Sequence, residues 1–409
     1  MAGYESMDGI DHDGHEPTEP ERKRPAKLFH KKSRNGCQQC RARRVKCNEA
    51  KPICGGCQRL ELTCVYDRQR LGNNAATSSS ARTETMGDPP ESRDRRKLEL
   101  QLFYHYTTET GPSLAVDKAS YDLWVAPLPR LALQSDALLY SMFSLAALHS
   151  ASQDEAKKDH HMSICHTYLD MTVREHAKEV SQLSKENVDA LCLTSSMLRI
   201  YYFLTLQERS LQPYRPPTEW MRATGSSSAI FRQAWPMVKD NPDSIAFQMI
   251  TYTPVIRDVE ARTGEENRRG LLHLLRRQES HELAESWDAE VQEAYESTLS
   301  YIGGIWIAMN DHEPPAGVAR RLVIFPMLVN KRFIDLVEEQ RPRALAILAH
   351  YFALLAMLRC FWWVGDVGQR EVQAIAEVMP VEWQGAMSWP LEILEQQIVF
   401  TGEEVTGTK

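Results

Sequence analysis

Residues 37–47 read CQQCRARRVKC, and residues 54–64 read CGGCQRLELTC. Six of the nine cysteines in the chain lie in these two stretches, in the order C-x2-C-x6-C-x6-C-x2-C-x6-C: Cys37, Cys40, Cys47, Cys54, Cys57 and Cys64. Such density points to thiolate metal ligands, because the first thirty residues contain no apolar signal segment that would direct the chain to an oxidising compartment. Zinc takes four ligands in a tetrahedron, and a CxxC turn offers two sulfurs from one loop. One zinc would leave two thiolates unused, whereas two zincs are satisfied by six cysteines if two of them bridge both metals. Six thiolates and two Zn2+ sum to −2, so nearby cations stabilise the cluster. Zinc also supplies folding energy that a module of about thirty residues cannot draw from an apolar core.

The two halves share a ligand spacing and differ in charge. The run between the second and third cysteines is RARRVK, and its counterpart is QRLELT. Only the first suits a polyanion. A short helix starting near Cys40 is expected to turn Arg41, Arg43, Arg44 and Lys46 outward, where Arg can read guanine edges in a major groove.

The flanking sequence supports that division. Glu21 to Arg70 holds 15 Lys and Arg against 4 Asp and Glu, a charge of +11, which leaves −18 for the rest of a chain whose net charge is −7. A basic module on an acidic body predicts a polyanionic partner for the module. Residues 1–35 read as a disordered tail, acidic and then basic, with Arg22, Lys23, Arg24, Lys31 and Lys32 expected to serve nuclear import and phosphate contact. Residues 67–96, rich in Ser, Thr, Asn, Gly and Pro, read as a flexible linker. It carries no a/d heptads, so a homodimer is admitted but without a zipper.

From Lys97 onward helical periodicity predominates and alternating strand patterns do not occur, which predicts an all-α body over residues 97–400. Ser135 is placed to cap a helix running to about Ala151, and ENVDALCLTSSMLRIYYFLTLQE predicts another. In HELAESWDAEVQEAYESTLSYI, Trp287, Val291, Tyr295, Leu299 and Ile302 form an amphipathic stripe. Ala344 to Leu358 is apolar but shorter than the roughly 18–20 residues a membrane span requires, so it reads as a buried core helix.

The segment Gly36 to Tyr66 resembles the fungal Zn2Cys6 binuclear cluster of Gal4-type transcription factors, through the six cysteines, the basic first loop and the Lys51-Pro52 pair before Cys54. The resemblance implies that Cys37 and Cys54 bridge the metals. One zinc would take Cys37, Cys40, Cys47 and Cys54, and the other Cys37, Cys54, Cys57 and Cys64. It further implies that Arg43 and Arg44 read CGG-like triplets. LELQLFYHYTTETGPSL, LLYSMFSLAALHSAS and FWWVGDV resemble blocks of the regulatory domain of sterol-uptake-control-type activators. In those relatives the helical domain can take up a sterol, which implies a small hydrophobic ligand here. Tyr351, Phe352, Leu355, Met357, Phe361, Trp362 and Trp363 are the expected wall, set against a reading of the same residues as plain core.

His160, His161, Cys165 and His166 share one predicted helix and read as a polar face rather than a metal site. Cys165, Cys192 and Cys360 read as small buried hydrophobes. No GxGxxG, GxxxxGK[ST], HExxH or GxSxG motif occurs, which gives an enzymatic reading no residues. The sequence therefore predicts a nuclear, zinc-dependent regulator of RNA polymerase II transcription that binds double-stranded DNA and coactivators. The expected setting is activation of a biosynthetic pathway such as a secondary-metabolite gene cluster, with a sterol-responsive regulator and a zinc-held interaction scaffold as the alternatives.

Overall fold

The computed structural model describes residues 36–51, 53–60, 62–65, 90–277, 285–311, 313–396 and 398–399. Arg22, Lys23, Arg24, Lys31, Lys32, Pro52 and most of the expected linker lie outside the described residues. The chain divides into two compact units between Thr85 and Met86. All regular elements of the described residues are helical, so the mostly-α class holds.

Among its described residues the first unit contains two short helices, Gln38–Ala42 and Gly55–Gln58. Its buried set is Cys37, Cys40, Cys47, Cys54 and Cys57, with Leu62 and Cys64 packed against them. Sulfur occupies the place that aliphatic side chains fill in larger domains.

The second unit opens with the helix Arg93–His105, whose first turn is closed by the Ser92 side chain accepting from the Arg95 N–H at 3.0 Å. That start falls before Lys97, where the expected linker ends: the cap at Ser92 decides the boundary, not the first apolar residue. Asp136–Gln153 begins at the expected Ser135 cap, with Leu138 N–H donating to Ser135 Oγ at 3.2 Å. It packs along Lys158–Val180 as an antiparallel pair. Val188–Glu208 packs beside them, and Thr218–Val238 packs on Val188–Glu208.

Ala289–Asn310 starts at an Asp288 cap, so Trp287 lies outside the helix on which the apolar stripe placed it. Val291, Tyr295, Leu299 and Ile302 are nevertheless all buried. The centre of the unit is Pro342–Leu355, in which every residue from Arg343 to Leu355 is buried. Around it lie Ala289–Asn310, Pro315–Leu328, Lys331–Glu338, Val367–Val378 and Ser388–Glu395. No single helix among the described residues is long and apolar enough to cross a membrane.

Two details show how closely the centre is packed. A Cβ at Gly368 would sit 2.6 Å from both Phe352 O and Ala356 N, so Val367–Val378 meets the central helix through a residue without a side chain. Arg343 is 1% exposed. Its Nε donates to Glu285 Oε2 at 2.9 Å, and its guanidinium lies 4.9 Å from the Trp383 ring centre and 5.0 Å from that of Trp287. The buried charge is thus paired and covered on its faces by aromatic rings.

Candidate metal centre and nucleic-acid face

The two halves of the first unit repeat each other at the offset of 17 residues that separates Cys37 from Cys54. Cys37 N–H donates to Cys47 Sγ at 3.5 Å, and Cys54 N–H donates to Cys64 Sγ at 3.3 Å. Each short helix starts at the first cysteine of its half and buries the second. Each is closed by a further bond of the same register: Val45 N–H to Cys40 O and Leu62 N–H to Cys57 O, both 3.0 Å. Gln38 N–H to Val65 O, at 2.9 Å, joins the two ends of the unit.

The sulfurs of Cys37, Cys40, Cys54 and Cys57 all lie within 4.8 Å of one another. Cys37 Sγ is 3.6 Å from Cys54 Sγ and 3.5 Å from Cys57 Sγ, and Cys40 Sγ is 3.6 Å from Cys54 Sγ. Four sulfurs at about 2.3 Å from a tetrahedral zinc stand about 3.8 Å apart, so these spacings suit zinc; the quartet joins the expected bridging pair, Cys37 and Cys54, with one expected ligand of each metal, Cys40 and Cys57. The Cys57 N–H bond to Cys54 Sγ holds that thiol down to about 5, while burial pushes Cys40 up to about 12. A metal ion that binds here displaces these protons into solvent, because the coordinating species is the thiolate.

The expected helix start near Cys40 is corrected to Gln38, and the helix ends at Ala42. Arg41 is therefore helical, whereas Arg43, Arg44 and Lys46 fall in the turn behind it. Arg44 N–H donates to Arg41 O at 3.1 Å and Val45 N–H to Cys40 O, the paired bonds of a Schellman closure. Arg44 takes the position where glycine is usual, at φ 53°. The turn forms early because Cys47 must return to the cluster after only six intervening residues. Arg41, Arg43, Arg44 and Lys46 are all exposed.

Two contributors are not evident from the cysteine spacing. Asn48 Oδ1 accepts from Gly55 N–H at 2.9 Å and ties the halves together. A Cβ at Gly56 would stand 3.2 Å from Cys40 Sγ, so the second half approaches the first half's sulfur there.

In the helical unit, His160 and His166 are exposed and Cys165 is buried with Ser144 Oγ 3.4 Å from its sulfur. The four residues form no convergent donor set. Cys192 is buried as expected, but Cys360 is exposed, because it follows the end of the central helical run in a turn. The seven aromatic and apolar residues expected to line one pocket are dispersed. Tyr351 and Phe352 are fully buried core, with Tyr351 stacked on Phe325 at 4.1 Å and donating to Leu322 O. Trp362 stacks on His149 at 4.4 Å and donates to Ser113 Oγ. Phe361 packs 5.2 Å from Trp363. Met357 is buried elsewhere, and of the seven only Leu355 and Trp363 reach the wall of the apolar cavity beside Val188–Glu208 and Thr218–Val238.

Comparison with known proteins gives a consistent result. The fungal Zn(2)-Cys(6) binuclear cluster domain matches residues 35–73. A Zn(2)-C6 fungal-type transcription factor of Aspergillus fumigatus is 35% identical over 334 residues, covering 80% of this chain and 86% of that protein. One from Gibberella zeae is 26% identical over 455 residues, covering 94% of this chain and 90% of its own length. Sterol uptake control protein 2 of Candida albicans is 41% identical over 70 residues, which is 17% of this chain.

Proposed function

The chain belongs to the fungal Zn(2)-C6 transcription factors, and from that premise we propose that residues 36–66 bind DNA at CGG-like triplets in a zinc-dependent manner, in the nucleus. The family is one of sequence-specific DNA-binding regulators of transcription, and its binuclear cluster carries two zinc ions. Cys37, Cys40, Cys47 and Cys54 would hold one and Cys37, Cys54, Cys57 and Cys64 the other, with Cys37 and Cys54 shared. The zincs supply the cross-links that fix the backbone. The chain's own residues do the rest: Arg41 and Lys46 neutralise phosphates, and Arg43 and Arg44 meet base edges.

The observation that carries this reading is the exposed basic turn, held between two buried cysteines, in the half that lacks acidic residues. Its test is fluorescence anisotropy on the full chain with labelled duplexes. Selective binding of duplexes containing CGG, with affinity falling steeply as salt rises, is the expected result. Equal affinity for scrambled duplexes would overturn the base-reading assignment, and a flat salt response would favour a protein-interaction scaffold.

The finer part of the proposal is a regulatory role for residues 97–400, with coactivator recruitment, in activating a biosynthetic gene set such as a secondary-metabolite cluster. Deleting the gene and measuring transcripts tests it: coordinated loss of a gene set supports activation, and coordinated gain overturns it.

A further inference from the structure

Among the described residues of the helical unit, a cavity of about 160 Å3 has a mostly apolar wall. Its sides come from Lys118–Val125, Val188–Glu208, Thr218–Val238, Ile245–Thr251 and Pro315–Leu328, with Trp124, Ile200, Phe203, Trp220, Phe231 and Ile324 among the lining groups. An apolar protein cavity of about 150 Å3 takes up benzene. This one therefore has room for a single ring or a short branched chain.

The polar groups on the wall are not those of a simple packing defect. Arg199 Nε, Arg320 Nε, Thr224 Oγ1 and Trp363 Nε1 are all buried without a hydrogen-bond partner among the described residues. Three are obligate donors and the fourth is a hydroxyl, so the unmet need is for acceptors. The carboxylate on the wall, Asp117, is already committed: it pairs with Arg320 and caps the helix Lys118–Val125. Arg199 has no ion-pair partner among the described residues. Its terminal nitrogens donate to Ser196 Oγ at 2.8 Å and Met327 Sδ at 3.1 Å, and it lies over the Phe231 ring. Neither bond supplies negative charge, and burial pushes the guanidinium down to about 10. Arg199 is half-buried, with its Nε fully enclosed, and a cation held so without a counter-ion costs stability that an incoming anion would restore.

We propose that this cavity is a binding site for a small aromatic or short aliphatic carboxylic acid, its apolar body against Trp220 and Phe231 and its carboxylate on Arg199. The assignment does not depend on which DNA sequence the zinc module reads. A charge-assisted bond to a buried group makes the acid bind at least tenfold more tightly than its neutral isostere.

The test uses the zinc-loaded full chain, with calorimetric titration and thermal unfolding in benzoate, phenylacetate, 3-phenylpropionate and hexanoate, against phenylacetamide and ergosterol. At least one acid should bind and raise the melting point, phenylacetamide should bind at least tenfold more weakly than phenylacetate, and Arg199→Met should abolish the acid response. Val323→Phe, which fills the cavity and leaves the charge in place, should abolish it as well; both variants are checked for native helix content. Indifference to all four acids, as for a cavity that holds only water, overturns the proposal. So does equal binding of acid and amide, or an acid response that survives both substitutions. Saturable ergosterol binding that survives Arg199→Met would assign the cavity to neutral lipid instead.

Discussion

Arg209 holds the Glu371 carboxylate with two parallel bonds, Nε to Oε1 and Nη2 to Oε2, each 2.7 Å, across 162 residues of sequence. Glu371 is 1% exposed, and Tyr214 donates to its Oε2 at 3.3 Å. Burial pushes the carboxyl up, and the facing guanidinium pulls it back. Arg209→Ala leaves that charge buried and uncompensated, which should cost about 3–5 kcal/mol in denaturant unfolding. Adding Glu371→Gln to Arg209→Ala should recover part of the loss; a double variant as unstable as the single one would show that packing of the Arg209 stem carries the effect.

Arg44 can be tested without disturbing the fold. At φ 53° it occupies a backbone conformation that glycine adopts freely, whereas alanine there keeps a strain on the order of 1 kcal/mol. Arg44→Gly should therefore retain the zinc-bound fold and lose about 1–3 kcal/mol of discrimination at one base pair. Equal loss on specific and scrambled duplexes would make Arg44 a phosphate contact.

Gly56 bears on the metal directly. Gly56→Ala pushes a methyl group against Cys40 Sγ and should weaken zinc retention in a chelator competition while leaving the helical unit unchanged. Full removal of zinc from the wild-type chain should unfold residues 36–66 and abolish DNA binding, since no apolar core remains to hold them. Undiminished binding in excess chelator would contradict the metal dependence.

Three histidines predict an acid sensitivity. Burial pushes His149, His176 and His350 each down to about 4. The unfolded chain then binds more protons than the folded one between pH 6.5 and about 4, so their contribution is complete above 6.5 and is lost as pH falls through that window. The denaturant midpoint should drop between pH 7 and 5, before ordinary carboxylates titrate. His350→Phe, which keeps a ring 5.1 Å from Trp389, should flatten the slope, and an unchanged slope would assign the sensitivity to other groups.

The contact at Gly368 makes a sharper packing prediction. Gly368→Ala forces a methyl into the backbone of the central helix at 2.6 Å, and should cost roughly 1–3 kcal/mol. A neutral result would mean that Val367–Val378 slides without penalty.

The zinc module was legible in the sequence because ligand chemistry acts through spacing, which a linear chain displays directly. The helical class and the Ser135 cap were legible for a similar reason: caps and stripes are local. The Schellman turn at Arg44 was not, because an arginine stands where glycine would signal it and the turn is imposed by the return of Cys47. Trp287 was placed on a helix by a periodicity it shares only by coincidence, since Asp288 starts that helix one residue later. Of the cavity's wall the sequence indicated only Leu355 and Trp363: Arg199, Thr224 and Arg320 join them only when separate helices pack.

The sulfur-filled interior of the first unit also explains how one repeated half can be basic and the other nearly neutral. Where aliphatic side chains make a core, each loop contributes to it and a change of loop sequence is felt as lost packing. Here both six-residue loops are anchored at their cysteine ends, and most of their side chains are spared structural duty. RARRVK and QRLELT can therefore diverge in charge at almost no cost to folding, which leaves the second loop open to a task other than reading DNA.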